Sequence, residues 1–367
     1  MNAETRIAEC EEACRYKVGL NSNESSCGSI DRKRAASFKR DHQNLRTISS
    51  SAARPSSRPA GRENGVKGTL DAIWDIPEPL SVLEVQVQDG TSITLRRHGN
   101  PDGPRLILSH GNGLAIDLYF PFWSLLSRDF DVFVHDLRNH GWNKTGELES
   151  HSVGAFARDH DRIATAVTSH YGEKPTIGVF HSISALAGLH TPSKGANYSG
   201  LVLFDPPISN TTFGTRKLES RAGETASMLR RRARWFRSRE ELADLHTYLP
   251  YFRRSVPGTL ELLARTTLRE SVAGQGFELR CPSHFEAKIW DHAAEYAASV
   301  DFRALNCPVK FVLPDATAQD PKNPVFDYGK VDVCREYLPK TTHLLPLENP
   351  KACTEALRTY LKKLTVP

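Results

Sequence analysis

The chain has 367 residues, 39% of them hydrophobic and 25% charged, with a formal net charge of +5. That composition is ordinary for a globular protein, the length suits one large domain with appendages, and no apolar run reaches the roughly 18 residues a membrane span needs. The seven cysteines are odd in number and scattered, only Cys10 and Cys14 are close, and no Cys/His cluster has zinc spacing; reduced thiols, a cytoplasmic location and no bound metal are the expectation.

Residues 1–66 read as a disordered basic arm, rich in Ser, Arg, Pro, Asn and Gly and poor in large apolar residues. Between Gly28 and Arg62 nine Lys/Arg stand against Asp31 and Asp41, an excess larger than that of the whole chain, so the rest is near neutral. The runs Arg32-Lys33-Arg34 and Lys39-Arg40 have the form of a nuclear or nucleic-acid patch. A solvated tail is the preferred reading, and no nucleic-acid partner is expected. The start lacks the apolar stretch of a secretory signal, and Glu4, Glu9, Glu11 and Glu12 are out of place in a transit peptide.

The folded body, residues 67–367, opens with a hairpin: 83–88 alternates, Asp89-Gly90 is a turn signal and 92–96 alternates again. An apolar strand over 105–109 runs into His110-Gly111-Asn112-Gly113. Residues 119–126 read as a helix and 131–136 as a strand, followed by Asp136-Leu137-Arg138-Asn139-His140-Gly141. A periodic helix covers 153–171, and 176–180 is a short buried strand. That strand turns through His181-Ser182-Ile183 into a helix over 184–189 with almost no room for a loop. A serine at such a corner is a nucleophile elbow: the turn lifts the hydroxyl above the sheet edge and aims the helix's free N–H groups at a reacting carbonyl. Strand 200–204 ends in Asp205-Pro206-Pro207. Strand and helix alternate at βαβ spacing, which predicts an α/β fold with a mostly parallel sheet covered on both faces.

The pattern breaks over 208–298, where helices are expected at 217–238, 240–246 and 259–268, separated by Pro250, Pro257 and Pro282. The run Arg230-Arg231-Arg232-Ala233-Arg234 reads as a solvated helix face. A strand over 307–313 resumes the core, and a final helix is expected over 350–364.

These segments resemble the α/β-hydrolase family over 83–207 and 306–364. The family elbow is Gly-x-Ser-x-Gly; here it is Phe180-His181-Ser182-Ile183-Ser184, small at Ser184 but bulky at Phe180. A strand ending in His-Gly-x supplies one oxyanion amide in the family, here Asn112, and the residue after the nucleophile supplies the other, here Ile183. Asp136 to Gly141 matches the family's Asp-x-Arg-Gly-His-Gly with Asn139 for the first Gly; those residues fix a loop, so His140 is left out of the site. Residues 341–350 match the family's last strand and histidine loop, with His343 followed by apolar residues and Glu348-Asn349-Pro350. The insertion at 208–298 then looks like a helical lid. The resemblance implies a cofactor-independent serine hydrolase of esterase or lipase type, acting on a small carbonyl substrate with Ser182 as nucleophile and His343 as base. The serine argues against the dehalogenase and epoxide-hydrolase members, which use an aspartate.

The acid stays open. The usual family position falls near Thr317, where Asp315 is early and Asp320 late; some relatives carry the acid at the end of the preceding strand, where Asp205 sits. Asp205 is preferred, with Asp320 as the alternative and Asp315 third. Three functions remain: the ester-type hydrolase, a fold-sharing lyase or C–C bond hydrolase with the same triad, and an inactive binding protein, which Phe180 keeps in play.

Overall fold

The computed structural model describes residues 74–272, 274–317, 326–329 and 331–364. The arm, its boundary near 66 and Asp320 lie outside the described residues.

The hairpin is β1 (Ser81–Gln86) and β2 (Ser92–Gly99), paired antiparallel. Then come β3 (Arg105–Ser109), β4 (Asp131–His135), β5 (Thr176–His181) and β6 (Gly200–Phe204). After the insertion follow β10 (Val309–Leu313) and β11 (Cys334–Tyr337), the intervening numbers belonging to short strands of the insertion. The main sheet has the order β1-β2-β4-β3-β5-β6-β10-β11 and is parallel from β4 onward. Every residue of β3, β4, β5, β6 and β10 is buried, which is why these strands read as continuous apolar runs. Period-2 geometry sends Leu106, Leu108, Val179, Val202 and Phe204 to one core, and Ile107, Phe180, Leu201 and Leu203 to the other. Helices α1 (Val153–Tyr171) and α2 (Ile183–Leu189) cover the second core, and the C-terminal helix α7 (Pro350–Lys363) the first.

The stretch 208–298 holds α3 (Thr212–Arg231), α4 (Arg239–Thr247), α5 (Thr259–Thr267) and α6 (Ser283–Ala298). Beside these helices it holds a small three-stranded antiparallel sheet that was not expected, of β7 (Trp235–Phe236), β8 (Leu268–Glu270) and β9 (Phe277–Leu279). Helix α6 is amphipathic enough to place Ile289, Ala293 and Ala297 in the core with α1 and α2. The expected helix over 119–126 is smaller: a 3-10 turn Ile116–Tyr119 followed by one α-turn, Phe120–Trp123. The last strand is also earlier than the 341–350 match placed it, at β11, with His343 in the loop that follows.

No helix among the described residues is long and apolar enough to cross a membrane.

Candidate active site

Ser182 sits at the carboxyl end of β5, in the middle of the sheet, with φ 55° and ψ −121°. A positive φ costs a β-carbon-bearing residue energy. The corner is held by its surroundings: the Ser182 amide donates to the Phe204 carbonyl at 2.9 Å, and Ser184 Oγ caps the turn, accepting from His181 N at 3.1 Å and donating to His181 O at 3.0 Å.

Phe180, the departure from the glycine expected in the elbow, is accommodated by glycines elsewhere. Its ring stacks on His160 at 4.2 Å and 10°. A β-carbon on Gly188 of α2 would approach that ring to 2.9 Å, and one on Gly178 to 2.7 Å. Ser184 stays small, and Gly178 on the strand and Gly188 one turn further along the helix leave the room that the Phe180 ring takes.

His343 Nε2 lies 3.0 Å from Ser182 Oγ, and His343 Nδ1 lies 2.5 Å from Asp205 Oδ2. Asp205 follows β6, the neighbour of β5, at φ 43°, a left-handed conformation that Asp tolerates better than most residues. Its amide donates to the Val312 carbonyl at 3.0 Å, and its other carboxylate oxygen accepts the Tyr328 hydroxyl. Burial, with the Asp205 charge adding to it, pushes the Tyr328 hydroxyl pKa well up, so it stays a donor. The backbone before His343 is fixed by Glu348, which accepts from the Thr342 amide at 2.5 Å and from its hydroxyl. Asp315 is engaged otherwise: it accepts from the Thr317 amide at 2.9 Å and the Lys340 amide at 2.6 Å.

The Gly111–Gly113 loop faces the elbow, where a β-carbon on Gly111 would lie 3.2 Å from Ser182 Cβ. Two of its three amides are consumed by the fold: Gly111 N–H donates to Tyr119 Oη at 3.2 Å and Gly113 N–H to His140 Nε2 at 3.0 Å. The Asn112 amide has no partner among the described residues, while its side chain ties the loop to α6 by donating to the Glu286 carbonyl at 3.0 Å. Ile183 is the first residue of α2, so its amide has no intrahelical acceptor. His140 therefore holds the loop rather than facing Ser182. Asn139 takes φ 65° at the position where the family has Gly, and its side chain bonds Gly146 N and His151 Nδ1.

His140, His151 and Cys281 bring three possible ligand atoms within 4.8 Å of one another. His140 Nδ1 lies 2.9 Å from the Arg138 carbonyl, which only accepts, so Nδ1 carries the proton. Its Nε2 lone pair already takes the Gly113 amide. The cluster is scaffold for the loop, with no free lone pair on His140.

The sequence had no signal for Tyr328, 123 residues from Asp205, nor for the bond of the His181 ring to the main chain of His343 at 2.8 Å.

A family profile described as "Alpha/beta hydrolase family" matches residues 106–356. No curated protein matches the chain in sequence. Among solved structures, the chain is similar to an E-2-(acetamidomethylene)succinate hydrolase, with a TM-score of 0.60 and 17% identity over 77% of this chain and 99% of that one. It is similar to a peroxisomal alpha-beta-hydrolase from Saccharomyces cerevisiae, with a TM-score of 0.57 and 15% identity over 81% of this chain and 88% of that one. It is also similar to a thermophilic esterase from Thermogutta terrifontis, with a TM-score of 0.54 and 19% identity over 77% of this chain and 99% of that one. At these identities the likeness is one of fold.

Proposed function

This chain belongs to the alpha/beta hydrolase family, and from that premise we propose that it is a cofactor-independent serine hydrolase of esterase type, with Ser182, His343 and Asp205 as its triad. The observation that carries the reading is the unbroken relay from Ser182 Oγ through both nitrogens of His343 to Asp205 Oδ2. It lies on a serine held at a left-handed strand-to-helix corner.

A serine hydroxyl attacks a carbonyl only when a base takes its proton. Asp205 accepts from His343 Nδ1–H, which leaves the Nε2 lone pair facing Ser182 Oγ. As Oγ bonds to the carbonyl carbon, its proton passes to Nε2, and Asp205 stabilises the imidazolium. The negative charge developing on the carbonyl oxygen is met by the amides of Asn112 and Ile183. Each such donor contributes roughly 3–4 kcal/mol to the transition state. His343 then protonates the leaving alcohol, and a water activated by the same nitrogen releases the acid. The insertion at 208–298 serves in this reading as the lid: the Tyr251 ring stands 6.3 Å from the His343 ring.

A fluorophosphonate probe tests the reading, because it labels an activated serine and ignores an idle one. Labelling at Ser182 in the wild type, absent in Ser182→Ala, is expected alongside hydrolysis of p-nitrophenyl butyrate. A folded wild-type protein that takes up no probe would be a binding protein on a hydrolase scaffold, and the proposal would be withdrawn.

Tyr328→Phe tests the second partner of Asp205. Losing one hydrogen bond to a buried carboxylate is expected to lower kcat about tenfold with KM nearly unchanged. Steady-state kinetics on the purified variant decide it; an unchanged kcat would mean that Tyr328 does not orient the acid.

A further inference from the structure

His181, the residue before the serine, is buried beneath the site and is not in the relay described above. Both of its ring nitrogens are engaged. Nε2 lies 2.8 Å from the main-chain carbonyl of His343, and Nδ1 lies 2.7 Å from the Tyr119 hydroxyl. The carbonyl is acceptor only, so Nε2 must carry the proton. Nδ1 is then a lone pair, and the Tyr119 O–H donates to it. The same Tyr119 oxygen accepts the Gly111 amide at 3.2 Å. The chain Gly111 N–H to Tyr119 O–H to His181 Nδ1, with His181 Nε2–H to His343 O, is satisfied at every atom and has one direction only. Burial first, and then the charge a protonated His343 brings, hold the His181 pKa well below its ordinary value, so the ring stays neutral and the pattern stays fixed.

This chain joins three segments distant in sequence that must be in register for acyl transfer. His181 is covalently adjacent to Ser182. His343 is the base, and its other flank is already fixed through Thr342 and Glu348. Gly111 lies against Ser182 and precedes Asn112, whose amide has no partner among the described residues. Tyr119 is fully buried against His181, with ring centroids 5.6 Å apart. Apart from these bonds, His343 meets the elbow through the 3.0 Å hydrogen bond to Ser182 Oγ and a tilted ring contact with His181, centroids 4.8 Å apart.

We propose that His181 is a positioning residue of the reaction: as a neutral Nε2–H imidazole it clamps the main chain of His343 to the nucleophile corner and, through Tyr119, keys the Gly111–Asn112 oxyanion loop to the same corner. The inference rests on the serine-hydrolase reading. It goes beyond the triad by giving the elbow histidine and Tyr119 a role in placing the three reacting segments, with no proton transfer of their own.

The test uses the full-length protein with p-nitrophenyl butyrate as substrate and a fluorophosphonate as active-site titrant, so that kcat is expressed per reactive serine and a partly unfolded preparation does not count. His181→Phe keeps the ring and removes both hydrogen bonds. A misplacement on the order of 1 Å at a reacting group costs roughly 10²-fold. kcat per titrated serine is therefore expected to fall about 30- to 100-fold, with KM within about twofold. His181→Gln restores an N–H toward the His343 carbonyl and is expected to recover activity to within about fivefold of wild type. Tyr119→Phe, which leaves the His343 clamp intact, is expected to fall between them. A role confined to stability predicts something different: lower melting temperatures with unchanged kcat per titrated serine, and Gln no better than Phe. Either of those results overturns the positioning role while leaving Ser182 labelled and the hydrolase reading standing. A wild type that takes up no fluorophosphonate removes that reading and this inference together.

Discussion

Asp205→Asn is expected to lower kcat by about a thousandfold or more, while Asp320→Asn leaves it nearly unchanged. The reason lies in the two partners of the carboxylate. Asp205 Oδ1 accepts the Tyr328 hydroxyl and Oδ2 accepts His343 Nδ1–H. An Asn at 205 has one oxygen and one NH2 for these two positions. The Tyr328 O–H has its acceptor there and draws the amide oxygen, which turns the NH2 toward His343. Nδ1 must then accept, the proton moves to Nε2, and the nitrogen facing Ser182 Oγ at 3.0 Å can no longer take its proton. The Asn also cannot stabilise the imidazolium. The double variant Asp205→Asn/Tyr328→Phe frees the amide to turn over and should recover part of the loss, a non-additivity that a simple loss of charge does not produce. Measuring kcat for the three variants, with circular dichroism to check folding, decides the assignment. If Asp320→Asn is inactive and Asp205→Asn is only less stable, the acid is Asp320.

What was legible from sequence divides along physical lines. Strands buried on both faces announce themselves as apolar runs, so β3, β5, β6 and β10 and the helix Val153–Tyr171 were readable nearly to the residue. The edge strand Cys334–Tyr337 was not: it is polar and half-buried, as edge strands are, and it pairs on one side only, with β10. The two- and three-residue strands of the insertion are too short to carry a period. Ser182 and His343 were legible because local chain geometry, a tight corner and a loop before a capped helix, is written in adjacent residues. The acid was ambiguous because its position depends on which strand end faces the histidine, a matter of sheet order rather than of spacing. Tyr328, Tyr119 and the His181 clamp are contacts between distant segments with no local pattern. The room for Phe180 comes from Gly178 and Gly188, which meet its ring only once the strand and the helix are packed together.

The fold is expected to fail in mild acid, with the melting temperature nearly flat above pH 7 and falling steeply between pH 6.5 and 4.5. Six of the almost wholly buried histidines carry the effect: His98, His135, His140, His151, His160 and His181. Burial lowers the pKa of each. It brings His98 and His135 to about 4, with the Arg96 charge working the same way. His140 goes to about 3 and His151 to about 2, each with a neighbouring histidine as the next cause. His160 and His181 are held well below the ordinary value. In the unfolded chain all six titrate near 6.5. Between 6.5 and the folded pKa values the unfolded state therefore binds more protons, so stability present above pH 6.5 is lost as the pH falls. At pH 5 each such histidine contributes a loss of about 2 kcal/mol. Six together reach the order of the entire stability of a domain, roughly 5–15 kcal/mol. Three buried acids pull the other way, since burial raises the pKa values of Asp117, Asp159 and Glu286. They are half as many, and nearby arginines oppose their shifts. Urea unfolding at half-unit pH steps gives the number of protons taken up from the slope of stability against pH, about 1.4 kcal/mol per pH unit per proton. A slope of three or more protons near pH 5.5 is the expected result. A slope below one would mean that these imidazoles are hydrated or already charged in the folded protein. His160→Gln supplies the internal check: it keeps a donor for the Ser184 carbonyl, which His160 Nε2 meets at 3.2 Å, and should reduce the slope by about one proton.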